Sequence, residues 1–325
     1  MKVSFLFTVF LSIALFAKAS KPLQFHKDGN FRIVQFTDVH FQPGNPASDV
    51  AIQCIENVLD AEKPDMVIFT GDLIYAPPAE EGIKKVLSPV VKRKLPFAVA
   101  WGNHDDEQGT SRADLRKLVE SYPLNLGLTQ ADLPGESNFV LPILNADKTP
   151  GMYLYVFDSR AYAPIKELKS YDWISLEQVN WYVEQSIKNI QQAGDTIPAL
   201  AFFHIPLPEY NQATSSEPTA MIGTRLECAA SPVLNTGLFA AMRQQGDVMG
   251  IFVGHDHDND YCVYWKDILL GYGRYTGGNT VYNHLSNGAR VIDLKQNSRT
   301  FHTHIRLRTG EVIHPITYPN SFLTK

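Results

Sequence analysis

The feature that most restricts how this chain can fold is an apolar run that closes on a glycine, a histidine or an acid, repeated along the sequence. It appears in "FRIVQFTD" (31–38), "DMVIFTGD" (65–72), "PFAVAWGNHD" (96–105), "MYLYVFDS" (152–159), "PALAFFH" (198–204) and "VMGIFVGHDH" (248–257). Short apolar runs bounded by polar, Gly-marked turns read as buried strands. Helix-like stretches at about 48–62 and 79–93 separate the first three runs, and a longer one at 175–194, with Ser175 and Glu177 near its start, precedes the fifth. Strands alternating with helices give an α/β sheet that collects its ligands at the carboxyl edge of the strands. After residue 258 the pattern turns strand-rich, in "YCVYW", "ILLGYG", "ARVIDL" and "TFHTHIRLR", and these predict antiparallel additions to a second sheet. Without a Pro/Ser linker, a repeat or a low-complexity segment, one domain over 20–325 is the economical reading.

The strand ends carry one type of chemistry. In order they offer Asp38 and His40, Asp72, Asn103 and His104, His204, and His255 with His257. Residues i and i+2 of an extended segment point the same way, so Asp38 with His40, and His255 with His257, can each present two donors to one centre. Imidazoles and carboxylates suit zinc, iron and manganese, and no thiolate belongs to the set. Seven ligands serve two divalent or trivalent ions if one carboxylate bridges, and Asp72 is the natural bridge. Two ions about 3.5–4 Å apart form a clamp for in-line displacement at phosphorus, with a shared hydroxide as nucleophile. His104, beside Asn103 but not needed as a ligand, is placed to protonate the leaving alkoxide.

Composition limits the partners. The 325 residues carry a net charge of −5 and no Lys/Arg block, which argues against a nucleic-acid or anionic-membrane footprint. A phosphate site here would take its positive charge from metal ions. The start "MKVSFLFTVFLSIALFAKAS" has the basic, apolar and small-residue zones of a secretory signal cut after Ala19, implying a periplasmic or secreted protein with no membrane attachment after cleavage. Cys54, Cys228 and Cys262 leave at least one thiol over; if a pair forms, Cys228 with Cys262 is favoured, and three buried free thiols are the alternative. No N-x-S/T sequon occurs.

The set D-x-H, G-D, G-N-H-D, a lone H and G-H-x-H resembles the calcineurin-like metallophosphoesterase superfamily over about residues 30–295. The resemblance implies a four-layer α-β-β-α sandwich with two mixed sheets. It also implies a dinuclear site, one metal on Asp38, His40, Asp72 and His257, the other on Asp72, Asn103, His204 and His255. "HIPLPEY", "NTGLFAAM", "GDVMGIFVGHDHDND" and "GARVIDL" are similar to a small branch labelled purple acid phosphatase-like, some of whose members are called inactive. Purple acid phosphatases use the Tyr of G-D-x-x-Y as an iron ligand, a place taken here by Tyr75, while His40 fills the D-x-H position, so iron with zinc or manganese and a like pair both stay open. In the protein-phosphatase branch an Asp at the place of Tyr75 orients the acid, and that support is missing for His104.

Arg225 in "IGTRLEC" and Arg274 in "GYGRYTGGN" are candidate phosphate contacts, since a guanidinium meets phosphate bidentately. The stretch 206–232 follows His204 and is too long for a mere connector, so it reads as the wall that selects a small phosphoester substrate. The expected activity is a phosphomonoesterase, with a phosphodiesterase or a catalytically weak metal-binding protein as alternatives.

Overall fold

The computed structural model describes residues 22–130, 132–216 and 220–323, so the leader read at 1–19 lies outside the described residues. The strands among them are β1 (Asn30–Phe36), β2 (Met66–Thr70), β3 (Phe97–Ala100), β4 (Phe139–Leu144), β5 (Pro150–Val156), β6 (Ala199–Phe202), β7 (Met221–Ile222), β8 (Val248–Val253), β9 (Cys262–Trp265), β10 (Ile268–Tyr272), β11 (Gly288–Lys295), β12 (Phe301–Leu307) and β13 (Val312–Tyr318). One sheet runs β13-β12-β11-β1-β2-β3 and the other β4-β5-β6-β8-β10-β9-β7. The principal helices are α1 (Asp49–Glu62), α2 (Ala79–Lys92), α3 (Arg112–Glu120), α4 (Leu176–Ala193), α5 (Glu209–Ser216) and α6 (Leu238–Gln245).

Four layers follow from the two-residue period of buried strands. In the first sheet Ile33 and Ile68 point inward with Leu154, Leu200 and Phe252 of the second, forming the core between the sheets. Their neighbours Val34, Phe36, Val67 and Phe69 point outward against Ile55 and Val58 of α1 and Ile83 and Val86 of α2. The second sheet repeats this, with Tyr155, Ala201 and Ile251 facing Val179 and Tyr182 of α4 and Leu238 and Met242 of α6. Each sheet is thus covered on both faces, which is why these strands read as continuous apolar runs. The chain is the α-β-β-α sandwich with two mixed sheets that the resemblance implied.

Helix ends obey the sequence. Ser175 caps α4 with a reciprocal bond to Gln178, and Gly194 ends it at φ 73°. The strand-rich tail departs from expectation. β11 pairs antiparallel with β1, so β11, β12 and β13 extend the first sheet rather than the second. β10 pairs parallel with β8. Cys54, Cys228 and Cys262 are all unpaired. Cys262 lies in the core between the sheets while Cys228 is exposed, so the favoured disulfide does not form. No helix among the described residues is long and apolar enough to cross a membrane.

Candidate metal centre

The carboxyl ends of β1, β2, β3, β6 and β8 converge. Asp38 N donates to Gly71 O (3.1 Å) and His40 N to Asp72 O (2.9 Å) within the first sheet, and Gly254 N to His204 O (3.0 Å) within the second, while His204 Nδ1 on Thr70 O (2.7 Å) joins the two sheets' loops into one edge. Glycines make the approach possible. A Cβ on Gly71 would stand 2.4 Å from His204 Nδ1, and one on Gly102 would stand 2.2 Å from Asp72 Oδ1. Asp38, His40, Asp72 and His255 all take left-handed backbone, at φ 52°, 47°, 52° and 79°. Such conformations in non-glycine residues cost about 1–3 kcal/mol each and persist where the surroundings fix them. Here the backbone bonds just named, and His255 N on the Asp38 carboxylate (3.1 and 3.0 Å), do so.

Two donor groups result, Asp38 with His40 and His257, and Asp72 with His204 and His255, each with its ligand atoms within 4.8 Å of one another and buried. His40 Nε2 is 3.0 Å from His257 Nε2. His204 Nε2 lies 3.1 Å from Asn103 Oδ1 and 3.3 Å from His255 Nδ1. Asp72 Oδ2 faces both groups, 3.6 Å from His40 Nε2 and 3.2 Å from His204 Nε2. The pairing differs from what a strand pleat predicts. His255 and His257 serve opposite groups, because the left-handed turn at His255 rotates the two side chains apart.

The donor chemistry fits cations. His204 Nδ1 donates to Thr70 O (2.7 Å) and His257 Nδ1 to Tyr282 O (2.8 Å), so each turns an Nε2 lone pair into the cluster. His257 Nε2 is then an acceptor facing His40 Nε2, where either a hydrogen on His40 Nε2 or a metal ion would satisfy it. His40 Nδ1 and Asn103 Nδ2 are buried without partners among the described residues. Burial drives His40 and His255 well below the ordinary histidine range, which keeps them neutral and able to ligate. Burial also raises Asp38. It would lower His204 too, but the adjoining Asp72 carboxylate overrides it and carries His204 up to about 9. The two carboxylates of this dry site thus call for positive charge at His204 Nε2, which a metal ion would supply in place of a proton.

The acid candidate is held by a residue the sequence did not single out. His104 N donates to Asp72 Oδ1 (2.9 Å). Its Nδ1 is 2.5 Å from Glu107 Oε2, and Glu107 Oε1 accepts from the Tyr162 hydroxyl (3.0 Å). The support expected to be missing is therefore present, three residues downstream rather than at Tyr75. The ring of Tyr75 stands edge-on to His40 and His104, with centroids 5.1 and 4.9 Å away. Asp105, from the same "GNHDDE", accepts Leu73 N (2.7 Å), Gly102 N (2.8 Å) and Asp72 N (3.1 Å), binding the β2 and β3 loops together.

Neither arginine meets the cluster. Arg274 is 3% exposed, paired with Asp260 and donating to Ser286 O (2.6 Å). Its neighbours explain the error, since "GRY" lies past β10 where Asp260 waits behind the loop. Arg225 reaches Cys228 Sγ (3.5 Å), and no described contact joins it to either donor group. The stretch 206–232 is partly structured, containing α5 and β7. Residues 273–287 do close over the first group: Thr280 Oγ1 donates to His40 O (2.8 Å) and Tyr282 stacks on His257 at 4.5 Å.

Comparison with known proteins agrees with this geometry. The sequence model of the family described as calcineurin-like phosphoesterase matches residues 31–259. A probable inactive purple acid phosphatase 29 of Arabidopsis thaliana is 31% identical over 310 residues, covering 82% of this chain and 79% of its own. Phosphatase DCR2 of Saccharomyces cerevisiae is 31% identical over 331 residues, covering 89% of this chain and 55% of its own length. Among solved structures, a dimetal phosphatase from Danio rerio superposes with a TM-score of 0.60 at 13% identity, covering 88% of this chain and 98% of that one. Purple acid phosphatase PPD1 from yellow lupin seeds reaches 0.55 at 13% identity, covering 92% of this chain and 55% of its own. At such identities the likeness speaks for the fold alone.

Proposed function

Because the chain belongs to the calcineurin-like phosphoesterase family, we propose that it is an exported phosphomonoesterase that works with two metal ions. The observation that supports this most is the place of Asp72, whose Oδ2 faces both donor groups while its Oδ1 accepts His104 N. Asp38, His40, Asp72 and His257 would hold one ion, and Asp72, Asn103, His204 and His255 the other. When bound, such a pair grips phosphoryl oxygens, neutralises developing charge and acidifies a water that serves as nucleophile.

The chain's own residues do the rest. The donor set carries two carboxylates, Asp38 and Asp72, so two divalent ions leave a net charge of about +2 that suits a phosphomonoester dianion without an arginine. With Nδ1 committed to Glu107, His104 presents Nε2 to the departing oxygen. The water oxygen forms the new bond to phosphorus, the ester P–O bond breaks, and the Nε2 proton moves to the leaving alkoxide. Iron, zinc and manganese all suit the donors. The leader at residues 1–19 supports export, and the exported chain is expected to begin at Ser20 by N-terminal sequencing.

Hydrolysis of a chromogenic monoester and diester, before and after chelation, tests the reading. Chelator-sensitive turnover that favours the monoester supports it, and a preference for the diester would make the protein a phosphodiesterase. Relatives named as probable inactive phosphatases favour a second reading, a metal-binding protein with little turnover. Two bound ions with neither substrate consumed would select that one.

A further inference from the structure

A pocket of about 370 Å³ opens beside the second donor group, lined in part by Tyr162, Lys169, Tyr171, Ser231 and Val233. Its position is defined from two sides. Tyr171 sets its ring edge-on to His255 with centroids 4.3 Å apart. Tyr162 donates its hydroxyl to Glu107, which in turn holds His104. The pocket therefore flanks the second donor group through Tyr171 and the hydrogen-bonded chain Tyr162–Glu107–His104 through Tyr162.

Its chemistry narrows what that group is. Tyr162 and Tyr171 stack at 5.7 Å with 23° between their planes, and the bridge that pairs their backbones closes the loop that carries them. Tyr162 is 52% exposed and Val233 61% exposed, large apolar areas beside a catalytic cleft. Among the described residues its lining includes no carboxylate and one cation, Lys169. Aromatic faces of this kind favour a flat ring laid parallel or edge-on over a flexible polyol, and the volume accommodates a fused ring.

We propose that this pocket is the leaving-group subsite and that it takes a planar aromatic group, so the preferred substrates are monoesters whose alcohol carries an aryl ring or a nucleobase. The proposal rests on the phosphomonoesterase reading for its catalytic half only, since the ring can bind without the phosphate.

The test therefore has two arms. Ligand-observed NMR on the chelated protein measures binding of 1-naphthol and of adenosine, with glycerol as control, to wild type, Tyr162→Phe and Tyr162→Ala. Kinetics on the metal-loaded protein measure kcat/KM for 1-naphthyl phosphate, adenosine 5′-monophosphate and glycerol 2-phosphate in the same three proteins. Loss of one stacking ring is expected to lower kcat/KM for the ring-bearing esters about 10-fold more than for glycerol 2-phosphate in Tyr162→Ala. Tyr162→Phe, which keeps the face and loses the Glu107 bond, is expected to retain that preference even where its absolute rate falls. Binding of naphthol alone assigns aryl esters, and binding of adenosine as well assigns nucleotides. Equal losses on all three esters, or no binding of either ring compound, would overturn the subsite. Should no ester be turned over, the phosphatase reading falls, and the binding arm still decides the pocket.

Discussion

Gly254→Ala asks whether this site is shaped by close approach. A Cβ at residue 254 would stand 1.9 Å from Thr37 Oγ1, 2.8 Å from Asp38 Oδ2 and 3.0 Å from Thr70 O, where ordinary contact begins at 3.4 Å. The hydroxyl would have to retreat by 3.4 − 1.9 = 1.5 Å. It is not free to do so, being held between Asp38 Oδ2 (2.8 Å) and Thr70 O (2.9 Å). Overpacking of this kind costs about 1–3 kcal/mol and a lost hydrogen bond about 1 more, so a destabilisation of about 3 kcal/mol is expected. Asp38 receives His255 N, so the shift reaches both donor groups and metal content should fall with stability. Urea denaturation of the chelated protein reads the first effect, and metal analysis of the loaded protein the second. Thr37→Ala added to Gly254→Ala removes the worst contact and should recover about half the loss, because Asp38 Oδ2 and Thr70 O stay tight. A single variant within about 0.5 kcal/mol of wild type, or a double variant no better than the single, would refute the reasoning.

Three other expectations are open to measurement. His104→Ala should slow hydrolysis of an alkyl monoester by about 10²–10⁴-fold and leave a nitrophenyl ester nearly untouched, since a good leaving group needs no proton; equal losses would remove the acid role. Glu107→Gln should show the same leaving-group dependence with a smaller loss, about 10-fold, and unchanged metal content, whereas a uniform fall would make it merely structural. Glu62 provides the pH test. Burial alone would raise its carboxyl, but hydrogen bonds and charge from His304 and Arg306 hold it down at about 2, against an ordinary value of 4.5. A lowered acid stabilises the fold above its unfolded value and loses that contribution as pH falls, so Glu62→Gln should cost on the order of 3 kcal/mol at pH 6 and almost nothing near pH 2. A variant whose deficit is the same at both values would contradict this.

The donor set was legible in the sequence because each donor follows a strand buried on both faces, and burial writes a continuous apolar run that ends where the chemistry begins. The four layers were legible through the resemblance, and the alternation of inward Ile33 with outward Val34 shows its physical basis. What stayed hidden depends on the path of loops. Nothing in "GNHDDE" distinguishes Glu107 from an acid in a turn until Nδ1 of His104 is seen beside it. Tyr162 and Tyr171 have no periodicity to mark them, and they meet through a loop bent by left-handed Arg160 and Lys169. Arg274 looked available because its partner Asp260 sits fourteen positions upstream, across a hairpin. The sheet joined by β11 was equally hidden, since an alternating strand states which face is buried but not which edge it pairs with.

The most direct test of the central claim, that Asp72 joins two metal groups, is metal content by plasma mass spectrometry on the purified protein alongside His204→Ala and His257→Ala. The account predicts about two ions per chain in wild type and a loss of about one from either variant, each of which removes a ligand from a different group. Fewer than one ion per chain in wild type, or full occupancy in both variants, would contradict it.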